Sequence, residues 1–304
     1  MEITELDTRA HLFPVVIFVF AVAIGIELTV TQFRALILKP RIPILGTLIH
    51  TLTFPILAVS LVSLLLFLEV DIAPHLVLGV LLVAACPSGG FSNMLVLIAR
   101  ADLALSVLLT SVSSLLSFVT VPVLFASFGL LVPELSGEVR LPVVETLLNL
   151  LVLVVVPVGV GMLWRAWKEE FVLRHTRLMQ NIAQIMLYLV CLLLLIEQWD
   201  GLKAGMGIAL PLSLALCVMA LATGYGLSRL VRLSPTDAAT VAIEGSIRNL
   251  AVAFLIASTV MDDIRIALLP SVYFIAVLIV GLTFARVWRT RVAPGLQTAS
   301  RHNT

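Results

Sequence analysis

The chain has 304 residues, of which 61% are apolar and only 12% are charged, and its mean hydropathy is +1.15. Because an ordinary soluble domain carries roughly 25% charged residues, this composition excludes a soluble globular protein and a disordered chain. The formal net charge of +1 excludes a strongly basic nucleic-acid binder. Three scattered cysteines, Cys86, Cys191 and Cys217, offer neither a disulfide framework nor metal-ligand spacing.

Nine apolar segments are long enough to cross the hydrocarbon core of a membrane as helices, for which about 20 residues suffice. In chain order they lie near 12–33, 42–68, 76–99, 103–131, 142–164, 180–196, 205–228, 236–260 and 266–285. The residues before the first segment lack the basic start and the cleavage site of a signal peptide, so we expect this segment to be retained. The sequence therefore predicts an all-α polytopic membrane protein with about nine transmembrane helices.

Lysine and arginine are distributed unequally between the two sets of connections that alternate along the chain. One set holds Arg34, Lys39, Arg41, Arg100, Arg165, Lys168, Arg174, Arg177, Arg229, Arg232, Arg286, Arg289, Arg291 and Arg301. The opposite set holds only Arg9, Arg140, Lys203 and Arg265. Since cytoplasmic loops carry the excess of basic residues, we expect the N-terminus outside and the C-terminus in the cytoplasm. The expected location is a plasma membrane of the bacterial inner-membrane type.

Two of the nine segments contain residues that interrupt a helix. The third contains Pro87 followed by two glycines, and the eighth contains the run 244–249 with two charges and a glycine. The eighth segment begins cleanly, because Ser234 can cap it and Pro235 suits its first turn. The two segments are five apart, so they cross the membrane in opposite directions. Paired, interrupted, antiparallel helices indicate a secondary transporter with inverted repeats.

Glu244 carries the strongest functional signal in the sequence. A carboxylate at the bilayer centre costs about 2.5–3.5 kcal/mol on insertion scales and normally has a partner. We expect a cation ligand or a proton carrier, and the alternative is a buried ion pair with Arg248, four residues on. Further oxygen donors suited to a hard monovalent ion are Ser92, Asn93, Ser106 and Thr110. Their alternative role is hydrogen bonding between helices.

Several stretches together resemble the signature of one family. They are Cys86-Pro87-Ser88-Gly89-Gly90-Phe91-Ser92-Asn93, then Ala99-Arg100-Ala101-Asp102-Leu103-Ala104-Leu105-Ser106-Val107 with Thr110, Glu244 with Asn249, Gly25-Ile26-Glu27-Leu28-Thr29, and the region of Pro55. In this combination the chain resembles the bile acid:sodium symporter family over nearly its whole length. The resemblance implies two crossing broken helices in a core domain (about 42–131 and 205–285), supported by a panel domain (about 12–33 and 142–196). Transport would proceed by alternating access between the two.

The resemblance also implies how sodium is held. The family's first sodium site falls on Ser92, Asn93, Ser106, Thr110 and Glu244. Members with two sodium ions place glutamines where this chain has His50 and Arg248. Arginine has no acceptor and cannot ligate a cation, so we expect one sodium ion per cycle, with Arg248 as a permanent surrogate for the second.

An organic anion is the substrate class that the resemblance implies. Arg248 is compatible with a carboxylate. The other candidates for the substrate cavity are Asn249, His50 and the turn 88–91, which includes Gly90 and Phe91. His50 and Glu27 are candidates for proton or ion coupling, and their alternative roles are structural. The expected partners are the substrate and the lipid bilayer, without nucleic acid, and we make no prediction of the oligomeric state.

Three rival functions remain open at this point. A proton-coupled anion transporter would use His50. An arsenite-type exporter would use Cys86, although in that family the cysteine follows the proline and here it precedes Pro87. A transport-inactive sensor could retain the same fold. An enzyme is disfavoured, because no nucleophile–base pair or metal cluster converges in the short loops.

Overall fold

The computed structural model describes residues 40–131, 156–197, 199–257 and 263–292, together with residue 261 and some positions between 15 and 26. In this part of the chain the α-helices are α1 (Arg41–Phe67), α2 (Pro74–Ala85), α3 (Phe91–Ala99), α4 (Leu103–Leu131), α5 (Val156–Trp167), α6 (Glu169–Glu197), α7 (Trp199–Leu230), α8 (Pro235–Ser246), α9 (Leu250–Leu255) and α10 (Leu268–Val287). A 3-10 turn, Ile264–Ala267, precedes α10, and a π-helical turn, Trp288–Val292, follows it. The predicted all-α class is confirmed.

Three helical segments of the described residues are long and apolar enough to cross a membrane without interruption. They are Arg41–Phe67, Gly205–Leu230 and Arg265–Thr290, and Pro74–Ala85 and Leu103–Ser117 are shorter apolar helices. Most of the predicted first span and residues 142–155 of the predicted fifth span lie outside the described residues.

The helices that contain the predicted sixth and seventh spans begin before those spans, and the apolar segment Gly205–Leu230 within α7 starts where the seventh span is predicted. The apolar pattern places their starts near 180 and 205, whereas α6 begins at Glu169 and α7 at Trp199. The apolar pattern indicates only which residues suit the hydrocarbon core of a membrane. A helix can extend beyond those residues into the polar headgroup region. Glu169 and Glu170 in the first turn of α6 complement the positive end of the helix dipole.

The predicted third span is two helices separated by a break. Pro74 stands in the first turn of α2, where its missing N–H costs nothing. α2 ends at Ala85 because Pro87 disfavours the helical region for Cys86, which is extended (φ −66°, ψ 146°). α3 then begins at Phe91 and ends at Ala99, where Arg100 adopts the left-handed conformation (φ 55°).

The predicted eighth span is also broken, into α8 and α9. The Oγ of Ser234 accepts a hydrogen bond from the Asp237 N–H at 3.1 Å, so the predicted cap is confirmed. α8 ends at Ser246, and Ile247 is extended (φ −107°, ψ 119°). The hydroxyl of Tyr273 on α10 donates to the carbonyl of Ser246 at 2.5 Å and so satisfies an orphan group of the helix end.

The two breaks meet, so the interrupted spans cross at their irregular segments. Ser88 and Arg248 form an antiparallel β-bridge, and the Asn249 N–H donates to the Pro87 carbonyl at 2.8 Å. A Cβ at Gly89 would lie 3.1 Å from the Arg248 carbonyl oxygen. Glycine at position 89 therefore permits the close approach of the two backbones.

The helices around the crossing pack into one continuous apolar cluster. α7 packs against α8, α10 and α1, α8 packs against α1 and α4, and α3 packs against α10. α5 packs mainly against α6. On the α5 side, Arg165 Nη1 donates to the Ile26 carbonyl at 2.6 Å. The helices that carry the breaks are thus packed among other helices, while Gly90 in the first break stays exposed.

Candidate ion-binding site at the helix crossing

The carboxylate of Glu244 lies at the centre of the candidate site. Its side chain is fully buried, two residues before the end of α8. Oε1 accepts hydrogen bonds from Ser92 at 2.6 Å and Ser106 at 2.5 Å. Oε2 accepts from Ser88 at 2.5 Å and Thr110 at 2.9 Å. Four hydroxyls therefore surround one buried carboxylate.

The hydroxyls come from three separate stretches of chain. Ser88 belongs to the break between α2 and α3, Ser92 to the first turn of α3, and Ser106 and Thr110 share one face of α4. Asn93 joins the cluster through Ser106, whose Oγ lies 2.7 Å from Asn93 Oδ1. The structure thus brings together the five residues of the predicted sodium site.

Ser88 is a member of the cluster that the sequence analysis missed. The turn 88–91 was expected to line a substrate cavity. The sequence did contain a signal for this role of Ser88. Its hydroxyl directly follows the helix-breaking Pro87, and the second interrupted segment carries the carboxylate of Glu244. Only the crossing of the breaks shows that the hydroxyl points at Glu244.

The hydroxyl protons cannot satisfy every oxygen of the cluster. Ser92 Oγ lies 2.8 Å from the Gly89 carbonyl and 2.6 Å from Glu244 Oε1. Ser106 Oγ lies similarly close to Asn93 Oδ1 and Glu244 Oε1. Each hydroxyl has a single proton and can donate to only one of its two oxygen neighbours. At the other contact, lone pairs of the two oxygens face each other. A hard cation, which takes oxygen ligands, would relieve this repulsion.

Arg248 is buried beside the crossing and is 5% exposed. Its Nη1 donates to the Cys86 carbonyl at 3.2 Å and its Nη2 to the His50 carbonyl at 2.9 Å. Its Cζ lies 4.4 Å from the centre of the Phe54 ring. The alternative prediction for Glu244, a buried ion pair with Arg248, is therefore wrong for this structure. The break at Ile247 removes the helical four-residue spacing on which that pair depended.

The predicted substrate-binding residues fall into two groups. His50, Arg248 and Asn249 are buried, and neither ring nitrogen of His50 has a hydrogen-bond partner among the described residues. Gly90 is exposed, and Phe91 is half-buried and packs against Phe274. Glu27, the other predicted coupling residue, lies outside the described residues.

Comparison with known proteins decides the family. A family model described as the sodium bile acid symporter family matches residues 14–204. The chain belongs to the sodium bile acid symporter family. The predicted resemblance is confirmed, and with it the prediction that the chain is a membrane transporter rather than an enzyme.

Relatives of this chain include proteins of plants, animals and a bacterium. The chain is 28% identical over 294 residues to a probable chloroplastic sodium/metabolite cotransporter of Oryza sativa subsp. japonica, covering 96% of this chain and 67% of the relative. It is 26% identical over 271 residues to a counterpart from Arabidopsis thaliana, covering 89% and 64%. It is 26% identical over 239 residues to sodium/bile acid cotransporter 4 of Homo sapiens, covering 74% and 51%. The chain thus spans about two thirds of the plant relatives and half of the human one.

Proposed function

We propose that this chain is a secondary active transporter that couples the movement of a small organic anion to sodium by alternating access. Membership of the symporter family supports the class of function. One observation supports the choice of a cation as the coupled ion. The buried Glu244 carboxylate is surrounded by four hydroxyls at the point where two interrupted helices cross. Irregular backbone at membrane depth is typical of midplane sites in transporters.

Sodium fits the chemistry of this donor set. The ion would be cargo, held by the carboxylate of Glu244 and by neutral oxygens of Ser92, Asn93, Ser106 and Thr110. A single carboxylate neutralises one positive charge, which suits a monovalent ion. The described residues contain no group of three or more His, Cys, Asp or Glu side chains that could hold a multivalent metal.

We assign one sodium ion to each cycle because Arg248 already supplies a positive charge at the crossing. The guanidinium is permanently charged and has no acceptor. It bonds the carbonyl of Cys86, which follows the C-terminal end of α2, where the helix dipole is negative. A second cation in this place would be repelled by the fixed positive charge of Arg248.

The substrate is expected to contact the accessible side of the breaks. Gly90 is exposed, with no atom within 4 Å of the position of a Cβ, and Phe91 offers an apolar ring beside it. Asn249 follows Arg248 in the opposite break. His50 and Arg248 are buried, so in this conformation neither would contact an anion directly. Arg248 would favour anion binding through its positive electrostatic potential.

The proposed architecture is the core and panel division that the family resemblance implies. The core would comprise the elements within about 42–131 and 205–285, and the panel those within about 12–33 and 142–196. The preference of α5 for α6 supports this division. We place the protein in a plasma membrane with the N-terminus outside and the C-terminus in the cytoplasm, as the distribution of basic residues favours.

Proton coupling through His50 is the second candidate. His50 is 1% exposed and both of its ring nitrogens lack a partner among the described residues. If this histidine carried a proton to the crossing, the charged imidazolium would have to form in a buried place beside the guanidinium of Arg248, which disfavours it. His50→Gln should then flatten the pH dependence of uptake. If the pH profile is unchanged, proton coupling through His50 is wrong.

Thermal unfolding of the purified protein in sodium, lithium or potassium chloride at constant ionic strength tests the sodium site. Ligands that bind only the folded state raise its stability by mass action. We expect sodium to raise the melting temperature and potassium to leave it unchanged. Glu244→Gln should abolish the sodium response, because the charge that neutralises the ion is lost.

Glu69→Gln is the matched control, since Glu69 is exposed in the turn after α1. This variant should keep the full sodium response. A wild-type protein that responds to pH but not to sodium would refute sodium coupling and favour the proton. Counting ions against a transported anion in vesicles tests the stoichiometry, and two sodium ions per anion would refute the assignment of Arg248.

A further inference from the structure

We infer that Ser88 is an additional ligand of the sodium ion and that it links occupancy of the ion site to the crossing of the two breaks. The inference rests on the proposed sodium site and extends it. Ser88 is fully buried, and its hydroxyl lies 2.5 Å from Glu244 Oε2. The same hydroxyl lies 3.4 Å from Thr110 Oγ1. It therefore sits among the donors already assigned to the ion.

Ser88 completes the surroundings of the second carboxylate oxygen. Oε1 has two hydroxyl partners, Ser92 and Ser106, whereas without Ser88 the other oxygen would have only Thr110. A hydroxyl that donates its proton to a carboxylate can rotate and offer its lone pairs to a cation instead. Ser88 can thus stabilise Glu244 both without the ion and with it.

The backbone of Ser88 belongs to the crossing itself. It forms the antiparallel bridge with Arg248. The neighbouring residue of the other break, Asn249, is held by the hydrogen bond from its N–H to the Pro87 carbonyl. Arg248 in turn donates to the Cys86 carbonyl. Among the hydroxyl residues around Glu244, Ser88 is the one that the bridge includes.

Two consequences follow from this double position. An ion held by Ser88 restrains the peptide that pairs with Arg248, so sodium should tighten the crossing. The candidate substrate contacts Gly90 and Asn249 flank the same bridge. Sodium occupancy would therefore order the surface that the anion meets before the anion binds, which is a direct route to coupling.

Sodium titration of Ser88→Ala by thermal unfolding tests the ligand role. We define the midpoint of the titration as the apparent dissociation constant for sodium, obtained by fitting the rise in stability with sodium concentration by mass action. We expect this midpoint to rise at least fivefold, because one oxygen ligand is lost. The readout is the midpoint of the titration, so a change in basal stability does not obscure it. Ser117→Ala is the matched control: Ser117 is buried on α4, and its hydroxyl bonds the Ser114 carbonyl. Its midpoint should equal that of the wild type.

Alkylation of Cys86 tests the link. Cys86 is 1% exposed and lies at the crossing, so in a Cys191→Ala/Cys217→Ala background its reaction with a small maleimide reports opening there. We expect saturating sodium to slow labelling several-fold, and Ser88→Ala to remove most of this protection even at saturating sodium. Ser117→Ala should retain it.

The outcomes separate this inference from the proposed function. If the wild-type protein shows no sodium response, the sodium site itself is wrong and the role of Ser88 falls with it. If the wild type responds, Glu244→Gln does not, and Ser88→Ala matches the wild type in midpoint and in protection of Cys86, the sodium site stands and the inference about Ser88 is refuted.

Discussion

Tyr273 holds the end of α8 in place from a neighbouring helix. Its hydroxyl donates to the Ser246 carbonyl, and its ring meets Phe54 edge-on, with centroids 5.6 Å apart at 82°. The same Phe54 ring carries the guanidinium of Arg248. One buried tyrosine thus supports both the helix break and the aromatic platform beneath the fixed charge.

Tyr273→Phe should destabilise the protein by about 1–3 kcal/mol, the cost of leaving a buried carbonyl without its donor. Thermal unfolding in potassium chloride measures this effect. Tyr225→Phe is the control, because the Tyr225 ring packs edge-on to Trp288 away from the crossing, and it should change stability by less than about 0.5 kcal/mol. Equal effects of the two variants would contradict a special role for Tyr273.

Asp263, in the connection before α10, gives a pH-dependent contribution to stability. Hydrogen bonds from Arg265, including Nη2 at 2.7 Å, lower the pKa of Asp263 below its usual range. A depressed pKa stabilises the folded protein above the ordinary Asp value of about 3.9, and this stabilisation is lost as pH falls through the lowered pKa. The gap in melting temperature between wild type and Asp263→Asn should therefore be constant above about pH 5 and shrink below it.

Asp71→Asn is the comparison for this pH series, since Asp71 is an exposed acid in the connection between α1 and α2. Its gap to the wild type should stay small and flat across the same range. A gap for Asp263→Asn that widens as the pH falls would show that the sign of the effect is wrong.

At the scale of helices, α2 and α10 approach each other closely at Gly79. A Cβ there would lie 2.7 Å from the Leu269 Cβ and 2.9 Å from the Ile266 carbonyl oxygen. Gly79→Ala should destabilise the protein by about 1–3 kcal/mol, because the two helices must separate. Gly207→Ala, where no atom lies within 4 Å, should be neutral or stabilising by about 0.5–1 kcal/mol. Thermal unfolding distinguishes them, and a neutral Gly79→Ala would contradict the close packing.

The first helix break and the start of α8 could be predicted from the sequence because their causes are local. Pro87 constrains Cys86 through the preceding peptide, and Ser234 caps α8 three residues away. The contacts of Arg248 could not be predicted in the same way. Its carbonyl partners, Cys86 and His50, are 162 and 198 residues distant in the chain, and only the crossing brings them within reach.

The candidate ion cluster lies between these two cases. Ser92, Asn93, Ser106 and Thr110 were predicted through the resemblance, and the structure places them around Glu244. Helix ends were predicted less well, since hydropathy marks only the apolar part of a helix and α6 begins at Glu169, before its apolar run.

For the whole molecule, the proposed orientation places the turns at the two ends of the bundle on opposite sides of the membrane. Asp71 between α1 and α2 and Arg232 between α7 and α8 are both exposed. In a cysteine-free background, a membrane-impermeant maleimide should label Asp71→Cys in intact cells and Arg232→Cys only after permeabilisation. Labelling with the opposite preference would invert the topology.

The guanidinium fixed between Phe54 and the carbonyls of Cys86 and His50 has an energetic consequence for transport. This charge remains with the protein, so over a complete cycle it contributes nothing to the charge moved across the bilayer. With one sodium ion and one singly charged anion, the translocated charge cancels and the membrane voltage does no net work. The sodium concentration ratio is then the whole driving force, about 1.4 kcal/mol for each factor of ten. A tenfold sodium gradient could concentrate such a substrate about tenfold and no further.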